Sequence, residues 1–188
     1  MILDILKFIF KSEKKVCEET NHIPSLIHSI CKEYNILNYT INEDGTIDVD
    51  GSVNLCCRGL QKIPLKFRNV LGNFICSFNY LTSLEGSPEY VLGDFDCSVN
   101  MLSFLYGCPS KIGGSLICEK NKLKTLEYCP YEVGGSFNCS QNNIRSLIGC
   151  VKIIGSDFNC SKNEIKSLIG GPKKVKDGYI CTDNKLNS

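Results

Sequence analysis

The stretch "GGSFNCSQNNIRSLIGC", residues 134–150, identifies the architecture because its pattern returns along the chain at a fixed interval. Its first cysteine, Cys139, has counterparts 21 residues earlier and later, at Cys118 and Cys160. Self-similarity with a period of 20–50 residues is typical of solenoids, in which each repeat buries its apolar face against its neighbours. The sequence therefore predicts a stack of coils.

Residues 51–188 divide into seven such units of 21 residues without insertion or deletion, the last one truncated. In each unit an aromatic or aliphatic residue is followed two positions later by a small apolar one and three positions after that by a polar one. Because strand side chains alternate with period two, the first two face one side, which in a solenoid is the core. The resulting structural columns are Cys76, Cys97, Cys118, Cys139, Cys160 and Asn79, Asn100, Asn121, Asn142, Asn163.

The two columns have different physical roles. Buried cysteine behaves as a small hydrophobe, and a slim residue suits a narrow coil. Backbone groups that leave the strand would cost about 1–3 kcal/mol each if buried without a partner. An inward asparagine carries both donors and an acceptor, so we expect a ladder of amides that closes the turns.

The unit F-x-C-x-x-N-x-L-x-x-L resembles short leucine-rich repeats of bacterial and phage proteins. "LTSLEGSPEYV", residues 81–91, is similar to the L-x-x-L-P-x-L-P segment of type III secreted effectors, and a set of phage-encoded repeat proteins is closer still. The resemblance implies an α/β repeat fold: a leucine-rich-repeat solenoid with a parallel β-sheet on the concave face and an α-helical N-terminal cap. It also implies a phage-encoded, non-enzymatic protein-protein interaction module that binds a host or defence protein in the cytoplasm of the infected bacterium.

The convex side is expected to be extended, because 21 residues leave too little chain for a helix and the Gly and Pro there oppose one. At the N-terminus, residues 1–38 are predicted to form a helical hairpin cap. Residues 39–50 alternate in polarity around Asp44-Gly45, which predicts a β-hairpin leading into the solenoid. Residues 2–10 are too apolar for one helix stripe. Three interpretations of these residues are open: they pack between the second helix and the first coil, they mediate self-association, or they contact a membrane surface.

Composition limits the classes of function. A net charge of +1 offers no global attraction for nucleic acid, and no apolar run is long enough for stable membrane insertion. Thirteen cysteines, an odd number, and no secretion signal favour a reducing, cytoplasmic compartment.

The sequence contains no clear pattern for a metal-binding or catalytic site. Cys17, His22, His28 and Cys31 match no common zinc spacing, and the acidic residues of the hairpin lack the final glutamate of a calcium loop. No nucleophile is paired with a base. We therefore expect no metal, no cofactor and no enzymatic activity.

The outward positions of the strands and turns are the better candidates. Successive coils place apolar side chains where a solenoid faces water, which usually marks a partner site. The predicted partner-binding residues are Ile75, Phe78, Tyr80, Val99, Met101, Ile117 and Lys120. Three alternatives stay open: the N-terminal cap folds over this patch, the open C-terminal coil drives self-assembly, or the chain is the recognition domain of a secreted effector.

Overall fold

The computed structural model describes residues 23–186 as a parallel-strand β-solenoid of about six turns with one short helix. Each of the first six coils contributes one short strand to each of two sheets; the N-terminal hairpin adds two strands to one sheet, and the truncated seventh coil adds one strand to the other. The eight-stranded sheet contains, in order, β1 (Tyr39–Ile41), β2 (Ile47–Val49), β4 (Phe67–Val70), β6 (Tyr90–Val91), β8 (Lys111–Ile112), β10 (Glu132–Val133), β12 (Ile153–Ile154) and β14 (Lys174–Val175). The seven-stranded sheet contains β3 (Val53–Asn54), β5 (Phe74–Ile75), β7 (Phe95–Asp96), β9 (Leu116–Ile117), β11 (Phe137–Asn138), β13 (Phe158–Asn159) and β15 (Tyr179–Ile180).

The strand register confirms the repeat. In the seven-stranded sheet Phe137 pairs with Leu116 on one side and with Phe158 on the other, each 21 residues away. Equivalent positions of successive coils therefore lie directly above one another. The predicted repeat solenoid is confirmed at this level.

The side of the coil that carries the eight-stranded sheet differs from the prediction in one respect. It is extended, as expected, but it also forms its own parallel ladder, in which Val133 pairs with Ile112 and with Ile154. Parallel pairing follows because the backbone of every coil is extended at the same position and the coils are stacked in register.

The core is built from the predicted columns. The rings of Phe74 and Phe95 stack with centroids 5.6 Å apart, and those of Phe137 and Phe158 with centroids 5.5 Å apart. The cysteines two residues further along are fully buried free thiols, and burial raises their pKa well above the ordinary value. They pack as small hydrophobes and are poor nucleophiles.

A helix and a hairpin cover the first coil. Helix α1 spans residues 23–33 and buries Ile27 and Cys31 against the core. β1 and β2 then pair antiparallel around Gly45, whose φ of +77° suits glycine, and β2 continues into the solenoid by pairing with β4.

The first helix of the predicted cap, the apolar residues 2–10, and Cys17 and His22 lie outside the described residues. Within residues 23–186, no helix combines the length and the apolar content needed to cross a membrane.

Candidate functional site

The amide ladder is present and fixes the turn that follows each strand of the seven-stranded sheet. The side-chain Nδ2 of Asn142 donates to the carbonyl oxygens of Cys118 and Cys139 at 3.0 and 3.1 Å. Its Oδ1 accepts the backbone N–H of Leu123 at 3.0 Å. Each buried asparagine thus joins its own turn to the preceding coil, which confirms the predicted role of this column.

The residue just before each position of this column has a left-handed backbone. Its φ lies between +52° and +58° in all seven coils, at Cys57, Phe78, Val99, Lys120, Gln141, Lys162 and Asp183. Glycine, asparagine and aspartate tolerate this conformation best, whereas bulky and β-branched residues do not. The turn therefore determines the backbone but does not favour an aromatic or a valine there.

Four of the predicted partner-binding residues are exposed: Lys120 and three apolar residues, of which Phe78 is exposed by 56%, Tyr80 by 60% and Met101 by 40%. Val99 is half-buried and lines, with Phe78, Tyr80, Cys57 and Gly59, an open cavity of about 380 Å³. We call Phe78, Tyr80, Val99 and Met101 the apolar patch. The structure brings these residues of coils two and three onto one surface.

The remaining predicted residues lie at its border. Ile75 and Ile117 occupy strand positions in β5 and β9 and are half-buried, so they offer less surface than the sequence predicted. Lys120 is exposed in the next turn along the solenoid. Whether a partner contacts these three residues stays a prediction.

A cationic groove follows the apolar patch along the solenoid. Lys122, Lys124 and Arg145 line a cavity of about 480 Å³ together with Glu164. A hydrogen bond from Arg145 at 3.0 Å lowers the pKa of Glu164, and the ammonium of Lys185 lies 3.7 Å from it. Among residues 23–186, no carboxylate forms an ion pair with Lys122 or Lys124. The groove therefore has positive charge available for an acidic ligand.

A second exposed apolar row was missed by the sequence reasoning. It lies on the turn before the eight-stranded sheet, where the rings of Tyr106 and Tyr128 meet edge to face at 5.7 Å. The available signal was the position after the core leucine, which is apolar in some coils and glutamate in others. The row contains Phe104, Tyr106, Tyr128, Tyr131, Ile148 and Ile169, all exposed.

A second polar ladder, also missed, belongs to the fold. The carboxylate of Asp94 accepts the N–H of Ser115 at 2.7 Å, and that of Asp157 accepts the N–H of Gly178 at 2.8 Å. In the first six coils, the residue before each strand of the seven-stranded sheet acts in the same way, and its short polar character was the available signal. These positions are Ser52, Asn73, Asp94, Ser115, Ser136 and Asp157. They hold adjacent coils together and are not candidates for ligand binding.

The potential metal ligands near α1 have other contacts. Nδ1 of His28 lies 2.6 Å from the hydroxyl of Tyr39, and Cys31 is fully buried. In the part of the chain that the structure describes, no three His, Cys, Asp or Glu side chains are grouped to hold a metal ion.

Comparison of the chain with protein-family models, with curated protein sequences and with solved structures finds no match.

Proposed function

We propose that this solenoid is a non-enzymatic protein-protein interaction module that captures a protein through the apolar patch. The observation that carries the proposal is Phe78, which is exposed at a φ of +54°. A left-handed backbone costs a non-glycine residue about 1–2 kcal/mol, and an exposed ring returns little of this cost to the fold. The same turn accepts Lys120 and Gln141 in other coils. Stability alone therefore does not account for Phe78, whereas burial of its ring by a partner does.

We further propose that the coils are leucine-rich repeats and that the seven-stranded sheet is their concave face. The support is the F-x-C-x-x-N-x-L-x-x-L unit and its resemblance to phage-encoded repeat proteins. On the same resemblance, the chain is phage-encoded and binds a host or defence protein in the bacterial cytoplasm.

The cationic groove sets the chemistry of the partner. An apolar segment of the partner covers Phe78 and Tyr80, and carboxylates beyond it approach Lys122 and Lys124. Because charges at the border of an interface act mainly on the association rate, high salt should slow association more than it speeds dissociation.

The test is a pull-down from bacterial lysate with a Phe78→Asp/Met101→Asp double variant. Its matched control is Leu71→Asp/Leu92→Asp, which makes the same apolar-to-acid change at two exposed residues of adjacent coils that line neither the cationic groove nor the cavity beside Phe78. We expect wild type and control to retain the same protein and the patch variant to lose it. Equal recovery by all three, with equal melting temperatures, would contradict binding through the apolar patch.

Self-assembly is a second candidate, favoured by the last coil. Tyr179 and Leu186 are each 40% exposed, whereas their counterparts Phe158 and Ile165 in the preceding coil are fully buried. If the end stacks on another copy, light scattering should show mass rising with concentration, and Leu186→Lys should prevent it. A wild-type protein that stays monomeric at high concentration would exclude this candidate.

A further inference from the structure

The first coil carries an adjacent pair of cysteines that belongs to neither the cysteine column nor the core. The sulfurs of Cys56 and Cys57 lie 3.1 Å apart in a hydrogen bond. Cys57 is exposed and has a φ of +58°, and Cys56 is half-buried. The next two coils have Ser77 and Ser98 where the first has Cys56, so the fold does not require a thiol there.

These two thiols are accessible where the column thiols are not. They line an open cavity of about 710 Å³ at the first edge of the seven-stranded sheet, together with Tyr34, Asp50 and Arg58. That volume is within the range of about 300–1,000 Å³ that holds small molecules. By contrast, Cys76 and Cys97 are fully buried. A small thiol reagent therefore reaches the pair before it reaches the core.

The turn that carries the pair lacks the own-coil amide bonds that restrain the other six turns, although Asn79 of the second coil still accepts the N–H groups of Arg58 and Leu60. In the second coil Asn79 donates to the carbonyls of Cys76 and Ser77 and so clamps its own turn. In the first coil Arg58 stands in place of the asparagine, so the amide that clamps the other turns is missing. The two sulfurs need to approach by about 1 Å to reach the S–S bond length of about 2.05 Å. Adjacent Cα atoms are only about 3.8 Å apart, closer than in most disulfides, so the bond between these two cysteines is strained and easily reduced.

We propose that Cys56 and Cys57 form a redox-active dithiol that closes into an intramolecular disulfide when it reacts with a small-molecule disulfide. One cysteine thiolate attacks a sulfur of the reagent, which forms a mixed disulfide and releases one thiolate. The neighbouring cysteine, after losing its proton to solvent, attacks the protein sulfur of the mixed disulfide and expels the second thiolate. The two cysteines lose two electrons and two protons in total, and the reagent leaves as two thiols.

The experiment exposes the reduced, full-length protein to glutathione disulfide under native conditions, alkylates the remaining thiols and identifies the peptide that contains residues 56–57 by mass spectrometry. In the wild type this peptide should lose the mass of two hydrogens, carry neither glutathione nor an alkyl group, and recover both thiols on addition of dithiothreitol. The buried Cys118 should stay unreacted until the protein is unfolded, which provides an internal control.

The variants Cys56→Ser and Cys57→Ser test the second step. Each keeps one thiol without a neighbour to expel glutathione, so the mixed disulfide should persist. We expect at least about tenfold more glutathione on this peptide than in the wild type, because the adjacent thiol acts at an effective concentration of millimolar or higher. Cys56→Ser introduces the residue that the next two coils use, so it should fold normally.

Three outcomes would overturn the proposal. The wild-type peptide could retain glutathione to the same extent as the serine variants, it could stay fully reduced while Cys181 reacts, or either cysteine could be found linked to a third. Each outcome shows that the two neighbouring sulfurs do not close on each other.

Discussion

Replacing Asn121 with alanine should lower the free energy of unfolding by about 3 kcal/mol. Its Oδ1 accepts the N–H of Leu102 at 3.0 Å, and its Nδ2 donates to the carbonyls of Cys97 and Cys118 at 3.1 and 3.2 Å. All of these groups are buried. The substitution removes the side-chain amide and leaves its partners where water does not reach them.

The magnitude follows from which groups keep a second partner. The carbonyl of Cys97 still accepts from Asn100, and that of Cys118 still accepts from Asn142, so each loses one of two hydrogen bonds. The net value of such a bond is about 0.5–1.5 kcal/mol. Among residues 23–186, the N–H of Leu102 has no other partner, so it bears the full cost of an unsatisfied buried donor, about 1–3 kcal/mol.

Two matched substitutions separate this effect from the loss of any asparagine. Asn184 makes equivalent bonds in the last coil but is only partly buried, so water replaces part of what Asn184→Ala removes, and we expect about 1 kcal/mol. Asn143 is exposed, and Asn143→Ala should change stability by less than about 0.5 kcal/mol.

Urea unfolding followed by circular dichroism measures all three variants. At an unchanged m-value, the urea midpoint should be highest for Asn143→Ala, lower for Asn184→Ala and lowest for Asn121→Ala. A reduced m-value would indicate that the stack has lost cooperativity at the altered coil. A loss below about 1 kcal/mol at Asn121, or a loss no larger than that at Asn184, would refute the argument that the buried donor sets the cost.

Three further substitutions test other features of the coil. Gly134→Ala should lower stability by about 1–3 kcal/mol in chemical denaturation, because a methyl group there overlaps the backbone carbonyl of Gly113. Val99→Asn should raise the melting temperature, because asparagine tolerates the φ of +52° that a β-branched residue resists. Arg68→Gln should lower the melting temperature at neutral pH, because a hydrogen bond from Arg68 holds the pKa of Asp48 below its ordinary value. A carboxyl group whose pKa is lower in the folded state stabilises the fold at pH values above its unfolded pKa, about 3.9 for aspartate. This stabilisation is lost as the pH falls through the folded pKa of Asp48, so the difference in melting temperature between wild type and Arg68→Gln should disappear in acid.

The sequence predicted what the 21-residue period controls. Stacked identical positions must pack or bond with themselves, so the roles of Phe137, Cys139 and Asn142 could be read directly from their columns. The pairing within the eight-stranded sheet could not be read in this way, because a short extended segment has the same sequence pattern whether or not it pairs with the next coil. The Asp94 ladder was equally hidden, since short polar residues in a turn look the same whether they bond to solvent or to the next coil.

The candidate site was predictable only in part, for a related reason. Phe78 and Tyr80 were located because period two places them outward. The partial burial of Ile75 and Ile117 depends on the side chains of adjacent coils, which the pattern of a single coil does not contain. The row around Tyr106 was missed because it lies on a turn, where neither strand nor helix periodicity indicates which side chains face outward.

In a repeat protein, residues whose type does not suit their backbone conformation are the best candidates for function. A second left-handed position shows the preference for glycine openly: Gly86, Gly107, Gly149 and Gly170 occupy it with φ from +85° to +94°. Tyr128 stands in the same column at a φ of +69° and is 58% exposed. Tyr128, like Phe78, combines a strained backbone conformation with an exposed aromatic ring that does not pack into the core. On the strength of these two rings, which lie at different turns of the coil, we propose that the partner-binding surface extends beyond the apolar patch to the row that contains Tyr128.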